Sequence, residues 1–258
     1  MLRNRIIPFL LIDNKGNCIK TINFKDRNYI GDILNNIRIF NEKKVDEIVI
    51  LDIDASKEKY PIKFDIISKI ASVCRMPLTY GGGISDLESA KKIISLGVEK
   101  ICLNTSAIEN FDLLKKIYNE FGSQSLSVSI NYKKIKNNYV FVDNNQIPIK
   151  QKCNEYISMI QNNGVGEIIF NSVDRDGTMK GYDLGIINLL KDFLKVPTII
   201  VGGCSDYDDI KELLKLHPNT ASGCSSIFIY KGKLKAVLIN YPSEDKKNEL
   251  MHIVKNNL

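Results

Sequence analysis

The chain has 258 residues, of which 44% are hydrophobic, with a formal net charge of +6 and six cysteines. That is enough apolar material for one large α/β core, while no apolar run approaches the roughly 20 residues of a membrane helix and Met1-Leu2-Arg3-Asn4-Arg5 leads into no signal-peptide core. The lysines are scattered without an aromatic-basic motif, which argues against nucleic acid and leaves an anionic small molecule or plain solubility; Cys18, Cys74, Cys102, Cys153, Cys204 and Cys224 form no C-x-x-C pair and meet no histidine at metal-ligand spacing.

These features predict a cytoplasmic protein with reduced thiols, no metal and no cofactor. In chain order, Ile6–Leu10 reads as a first strand, and Asn14 to Gly31 as a long connection that includes a lid. A helical pattern follows over Asp32–Lys43, then strands at Ile48–Ile53 and Pro77–Tyr80. Helix Asp86–Leu96, strand Lys100–Leu103, helix Asp112–Phe121 and strand Ser125–Ile130 continue the alternation. Tyr139-Val140-Phe141-Val142 before Asp143-Asn144-Asn145 reads as a small inserted hairpin. Helix Glu155–Asn163, strand Glu167–Phe170, helix Gly185–Phe193, strand Thr198–Val201, helix Tyr207–Leu216 and strand Ala221–Ser225 complete the series. Eight strands linked by helices predict a (β/α)₈ TIM barrel, with a doubly wound open sheet as the rival.

A repeat decides between them. Met76-Pro77 through Gly82-Gly83-Ile84-Ser85-Asp86 realigns on Val196-Pro197 through Gly202-Gly203-Cys204-Ser205-Asp206, and Glu47-Ile48-Val49 on Glu167-Ile168-Ile169. Two four-stranded halves related by a two-fold axis close a ring, so one domain over residues 1–258 is expected, built from half-barrels of about 1–122 and 123–258.

Barrels carry their chemistry at the C-terminal ends of the strands. That places Leu11, Asp13, Asp52, Asp54, Asn131, Asp174, Asp176 and Gly177 on the reactive face. Gly82 and Gly83 with Asn104 and Thr105, and Gly202 and Gly203 with Ser225 and Ser226, offer backbone N–H groups and hydroxyls for two anion cradles. Two phosphates a barrel's width apart suggest an elongated bisphosphate ligand. Glycine also serves tight packing, and Ser or Thr also caps helices. Cys102 and Cys224 precede ligand-facing positions and read as core. His217 and His252 lie away from the strand ends.

Arg5-Ile6-Ile7-Pro8, Leu51-Asp52-Ile53, Thr79-Tyr80-Gly81-Gly82-Gly83-Ile84, Phe121-Gly122-Ser123-Gln124 and the run from Asp174-Arg175-Asp176-Gly177 to Tyr182-Asp183 resemble the HisF family, the cyclase subunit of imidazole glycerol phosphate synthase. The resemblance covers nearly the whole chain. It implies a lyase-type cyclase in histidine biosynthesis, a duplicated half-barrel binding a ligand with two phosphates, and a HisH-like glutaminase partner at the N-terminal face that delivers ammonia through the barrel. It also assigns Arg5, Glu47, Lys100 and Glu167 to the charged ammonia gate; a structural salt-bridge ring is the alternative.

The family's two acid/base aspartates align with Leu11 and Asn131, which can move no proton. Asp13, two residues beyond Leu11, is a possible substitute. Lys20 to Asp32, Val45-Asp46-Glu47 with Leu51 to Ser56, and Lys235 to Pro242 are similar to a glycosyl amidation-associated (WbuZ-type) branch. That similarity implies a third partner, a sugar amidotransferase that converts an N-acetyl group to an acetamidino group in surface-polysaccharide or flagellar-glycan synthesis. Three readings stand: an ammonia-accepting synthase subunit of a glutamine amidotransferase complex, a working cyclase-lyase, and a non-catalytic scaffold.

Overall fold

The computed structural model describes residues 4–232 and 234–255, with side chains through Leu250. Short runs of β-branched and leucine residues, buried on both faces, form the barrel strands β1 (Ile6–Ile12), β2 (Ile48–Asp52), β3 (Leu78–Gly81) and β4 (Lys100–Leu103). The second half contributes β5 (Leu126–Ile135), β6 (Glu167–Ser172), β7 (Thr198–Val201) and β8 (Thr220–Cys224). All eight run parallel to their neighbours, and β8 pairs back onto β1 with Ile6 opposite Ser222 and Pro8 opposite Cys224. The ring is therefore closed, and the open-sheet alternative is excluded.

Among the described residues the eight helices of six residues or more cover the outside: α1 (Ile33–Glu42), α2 (Phe64–Val73), α3 (Leu87–Ser95), α4 (Phe111–Phe121), α5 (Cys153–Asn162), α6 (Gly185–Leu190), α7 (Tyr207–Leu216) and α8 (Glu244–Lys255). Each buries one stripe, as α1 does with Ile33, Asn36, Ile37 and Phe40. The two halves start helices by the same device. Asp86 accepts from the Ser89 amide at the head of α3, and Asp206 accepts from the Asp208 and Asp209 amides at the head of α7; such a cap contributes about 1 kcal/mol.

Two apolar layers result. The larger lies between strands and helices, and a smaller one fills the bore with Ile7, Phe9, Val49, Cys102, Ile169, Ile199, Val201 and Ala221. Gly223 marks how tightly that bore is packed, since a Cβ there would stand 2.5 Å from Val201 Cγ2 and 2.8 Å from Phe9.

The connection after β1 is more ordered than its composition suggests. Asn17–Ile22 and Asp26–Asp32 form an antiparallel hairpin that pairs with β1 through Leu11 opposite Ile19 and Ile12 opposite Cys18. The expected hairpin after β5 is present, with Asn138–Val142 folding back through Lys136 and Asn137, both at positive φ. Helices α2 and α8 had no counterpart among the segments read as helical. His217 caps the end of α7. The side chain of His252, on α8, lies outside the described residues. Among the described residues no helix is long and apolar enough to cross a membrane.

Candidate functional site

The C-terminal strand ends surround a cleft whose wall includes Leu11, Asp52, Gly82, Gly83, Asn104, Thr105, Asn131, Asn171, Asp176 and Ser225. In the first half the glycine turn stays open to this cleft. Gly82 sits at φ +130°, and any Cβ there would lie 2.5 Å from the Asp52 carbonyl oxygen, so only glycine fits. The Gly83 amide donates to Ser56 Oγ at 3.3 Å, and Asn104 is held by its Nδ2 donating to the Ser129 carbonyl at 2.7 Å. Asn104 Oδ1 and Ser225 Oγ are buried without a protein partner among the described residues.

The second half is more closed. Gly203 backs onto the Gly181 carbonyl, 2.1 Å from where its Cβ would be, and the Gly181 amide donates to Gly203 O at 2.9 Å. Gly177 is likewise pressed against the Thr21 carbonyl, whose oxygen would stand 2.2 Å from any Cβ there. Of the expected second cradle, Gly202, Gly203 and Ser226 lie off the cleft wall and Ser225 reaches it; of the other expected ligand residues here, Asp176 reaches the wall and Gly177 does not.

Asp176 is committed to the hairpin. Its carboxylate receives Lys20 Nζ at 2.8 Å, Thr21 Oγ1 at 2.7 Å and the Phe24 amide at 3.2 Å. At the opposite rim Arg27 donates through both terminal nitrogens to Asp54. The connection expected to include a lid is thus a strand pair latched at two points over the mouth. Asp176→Ala leaves the buried Lys20 ammonium without its partner, a loss of about 3 kcal/mol or more. The hairpin relieves it by opening, which raises the open population about a hundredfold. Faster limited trypsinolysis at Lys20, Lys25 and Arg27, with the barrel otherwise intact, is the expected result.

Leu11 and Asn131 both reach the cleft, from β1 and β5, and Asn131 sits in a chain of neutral amides. Asn171 Nδ2 donates to Asn131 Oδ1 at 3.4 Å, Asn131 Nδ2 to Asn144 Oδ1 at 3.0 Å, and Asn144 Nδ2 to Thr105 Oγ1 at 2.8 Å. Such a chain can bind and orient a polar ligand but cannot take a proton from it. Asp13, the possible substitute, does not serve. Its oxygens accept from the Lys15 amide, the Asn17 amide and Asn17 Nδ2, and these bonds hold its pKa below the usual carboxylate value against the opposing effect of burial. It organises the turn into the hairpin and lies off the cleft wall.

Asp52 is a carboxyl of the cleft wall with a raised proton affinity. Burial raises its pKa, only partly offset by donation from Tyr60 and from the Ala55 and Asp54 amides, all to Oδ1. A carboxyl raised in the folded state supports folding fully below its unfolded pKa and loses that support as pH rises through the folded value. Asp52→Asn keeps the accepting oxygen and removes the charge. It should therefore gain stability relative to the parent between acid and neutral pH, measured as urea midpoints at several pH values.

At the opposite end, Arg5, Glu47, Lys100 and Glu167 close a four-membered ring. Arg5 meets Glu47 at 2.6 Å and also Glu167; Lys100 meets Glu47 at 3.3 Å and Glu167 at 2.7 Å. Thr79 Oγ1 adds a bond to Glu47 at 3.1 Å. Burial works against the Arg5 charge, but Glu167 and Glu47 outweigh it and raise the guanidinium pKa. The apolar bore joins this floor to the cleft, because Phe9, Leu51, Cys102 and Val201 belong to both bore and cleft wall.

Residues 5–235 match the family model described as histidine biosynthesis protein. The chain is 42% identical over 98% of both chains to a Vibrio vulnificus protein named "Putative imidazole glycerol phosphate synthase subunit hisF3". It is 44% identical, over 97% of this chain and 99% of the other, to a Leptospira borgpetersenii protein named "Putative imidazole glycerol phosphate synthase subunit HisF". The imidazole glycerol phosphate synthase subunit HisF of Hydrogenobaculum is 34% identical over 90% of this chain and 92% of its own. The chain belongs to the HisF family.

Among the residues of this HisF-family cleft that escaped the sequence reading are Lys20, Arg27, Asn144 and Asn171. Lys20 and Arg27 sat in a segment read as a loop, where side-chain direction has no period. Asn144 lies past the β5 hairpin, to which no function was attached. Asn171 follows directly on the segment read as a strand, Glu167–Phe170, and one more residue of strand would have turned it toward Asn131.

Proposed function

We propose that this HisF-like subunit accepts ammonia from a glutaminase partner and passes it on for amidination of an N-acetyl sugar in surface or flagellar glycan synthesis, with little cyclase activity of its own. The observation that carries the reading is the combination of an intact Arg5–Glu47–Lys100–Glu167 ring at the floor with Leu11 and neutral Asn131 at the outlet. The glutaminase would dock beneath the ring, at the N-terminal face. There an alternating ring of charges can admit a small neutral molecule once a partner perturbs it, while the apolar bore above disfavours ions. The bore is packed, so passage requires side-chain motion along it. Higher identity to the Vibrio and Leptospira proteins than to the Hydrogenobaculum HisF supports a separate branch.

One observation favours the cyclase-lyase reading: Gly82, Gly83, Asn104 and Thr105 remain open to the cleft as a phosphate cradle would. The two readings differ in where amide nitrogen goes. Glutamine with an isotopically labelled amide, given to this chain with the glutaminase and the sugar amidotransferase, should label the acetamidino nitrogen. Unlabelled external ammonium should not dilute it, and omitting this chain should abolish the transfer. Equal labelling without this chain would leave only a scaffold or a cyclase.

A further inference from the structure

The second half differs from the first in one chemically reactive way. Cys204 follows the Gly202-Gly203 turn after β7, and Cys224 ends β8. At the equivalent places in the first half stand Ile84, after the glycine turn, and Leu103, which ends β4 as Cys224 ends β8. The pairing of Val201 with Gly223 brings the two strand ends side by side. The sulfurs lie 3.5 Å apart, in van der Waals contact. Among the described residues no other two of the six free cysteines have their sulfurs in hydrogen-bond contact. Tyr182 and Ser222 complete the cluster: the Tyr182 hydroxyl is 2.7 Å from Ser222 Oγ and 3.1 Å from Cys224 Sγ, and Ser222 Oγ is 3.3 Å from Cys224 Sγ.

We propose that Cys204 and Cys224 are a redox-active dithiol that a peroxide closes to an intramolecular disulfide. Nothing in the fold needs a reactive pair here, because buried Ile84 and Leu103 do the same packing in the first half. Cys204 is 5% exposed and Cys224 fully buried, so Cys204 is the sulfur that meets the oxidant. It attacks one oxygen of hydrogen peroxide; the O–O bond breaks and water leaves with the thiol proton, giving a sulfenic acid. Cys224 then attacks that sulfur, the S–S bond forms as S–O breaks, and a second water carries away the Cys224 proton. Two thiols lose two electrons in all, and one peroxide becomes two waters. The resolving sulfur is prepared for its part. Burial disfavours its thiolate, but hydrogen bonding with Cys204, Ser222 and Tyr182 outweighs this and lowers its pKa below the ordinary thiol value. Contact with Cys224, together with burial, raises that of Cys204.

Closure would tie the Gly202-Gly203 turn to the strand end that presents Ser225, locking the second half of the mouth. Its test does not depend on that consequence. The folded protein, treated with limiting hydrogen peroxide, is denatured, alkylated and digested with trypsin. A cross-linked pair of peptides, Val196 to Lys211 with Leu216 to Lys231, lighter by two hydrogens and released by dithiothreitol, is expected before Cys18 or Cys102 is modified. Cys204→Ser and Cys224→Ser should each abolish the link. Recovery of both cysteines as alkylated thiols, or as separate sulfinic and sulfonic acids at doses that oxidise the protein, overturns the proposal, and it does so in the unmutated chain.

Discussion

Replacing Glu167 with alanine is expected to remove about 3 kcal/mol of folding stability, read as a lower urea midpoint at unchanged slope. Glu167 is 4% exposed and bridges Arg5 and Lys100, so its loss strands two cations over a low-dielectric bore with only Glu47 between them. The figure sits at the lower end for a broken buried pair because Arg5 and Lys100 keep 25% and 17% of their side chains in contact with solvent, where water screens the residual repulsion. Exchanging all four charges for apolar residues of similar size should cost much less or nothing, since a buried ion network rarely outperforms good packing. That contrast bears on the role of the ring. If packing would serve as well, stability does not explain why four charges stand at the barrel floor.

The parts of the fold that could be read from sequence were those where one physical rule acts alone. Ile199-Ile200-Val201 of β7 and Ile168-Ile169-Phe170 of β6 are apolar runs because both faces are buried there, and Asp86 and Asp206 stand where helix amides need an acceptor. The glycine turns were legible for the same reason: at Gly82 the Asp52 backbone leaves no room for a Cβ. Long-range pairing was not legible. Asp176 reads as a phosphate-loop carboxylate, yet its partners Lys20 and Thr21 lie more than 150 positions away, on the buried strand of a hairpin whose other strand is charged and exposed. Asp13 shows the same limit at short range. Its position two residues past Leu11 suggests a shared direction, but β1 ends at Ile12 and the chain turns, so the strand period no longer applies.

With ammonia and the bisphosphate substrate of imidazole ring closure, this protein is expected to turn over about 10²–10⁴-fold more slowly than a HisF with carboxylates at both acid/base positions. Leu11 offers no titratable atom, and Asn131 is held by Asn144 and Asn171 in an arrangement already satisfied by amides. Asn131→Asp tests the point more sharply than Leu11→Asp, because the new carboxylate inherits an Asn171 donor, while Asn144 must turn its Nδ2 away from Thr105 to meet it. At 4% exposure that carboxylate is desolvated, so its pKa should rise toward the range useful for a general base. Leu11→Asp with Asn131→Asp should then recover part of the missing rate, limited by how freely a second phosphate enters past Gly177 and Gly203. Turnover by the unaltered chain within about tenfold of a carboxylate-bearing HisF would mean that another group, with Asp52 the foremost candidate, moves the proton, and the neutral outlet would no longer separate this barrel from a cyclase.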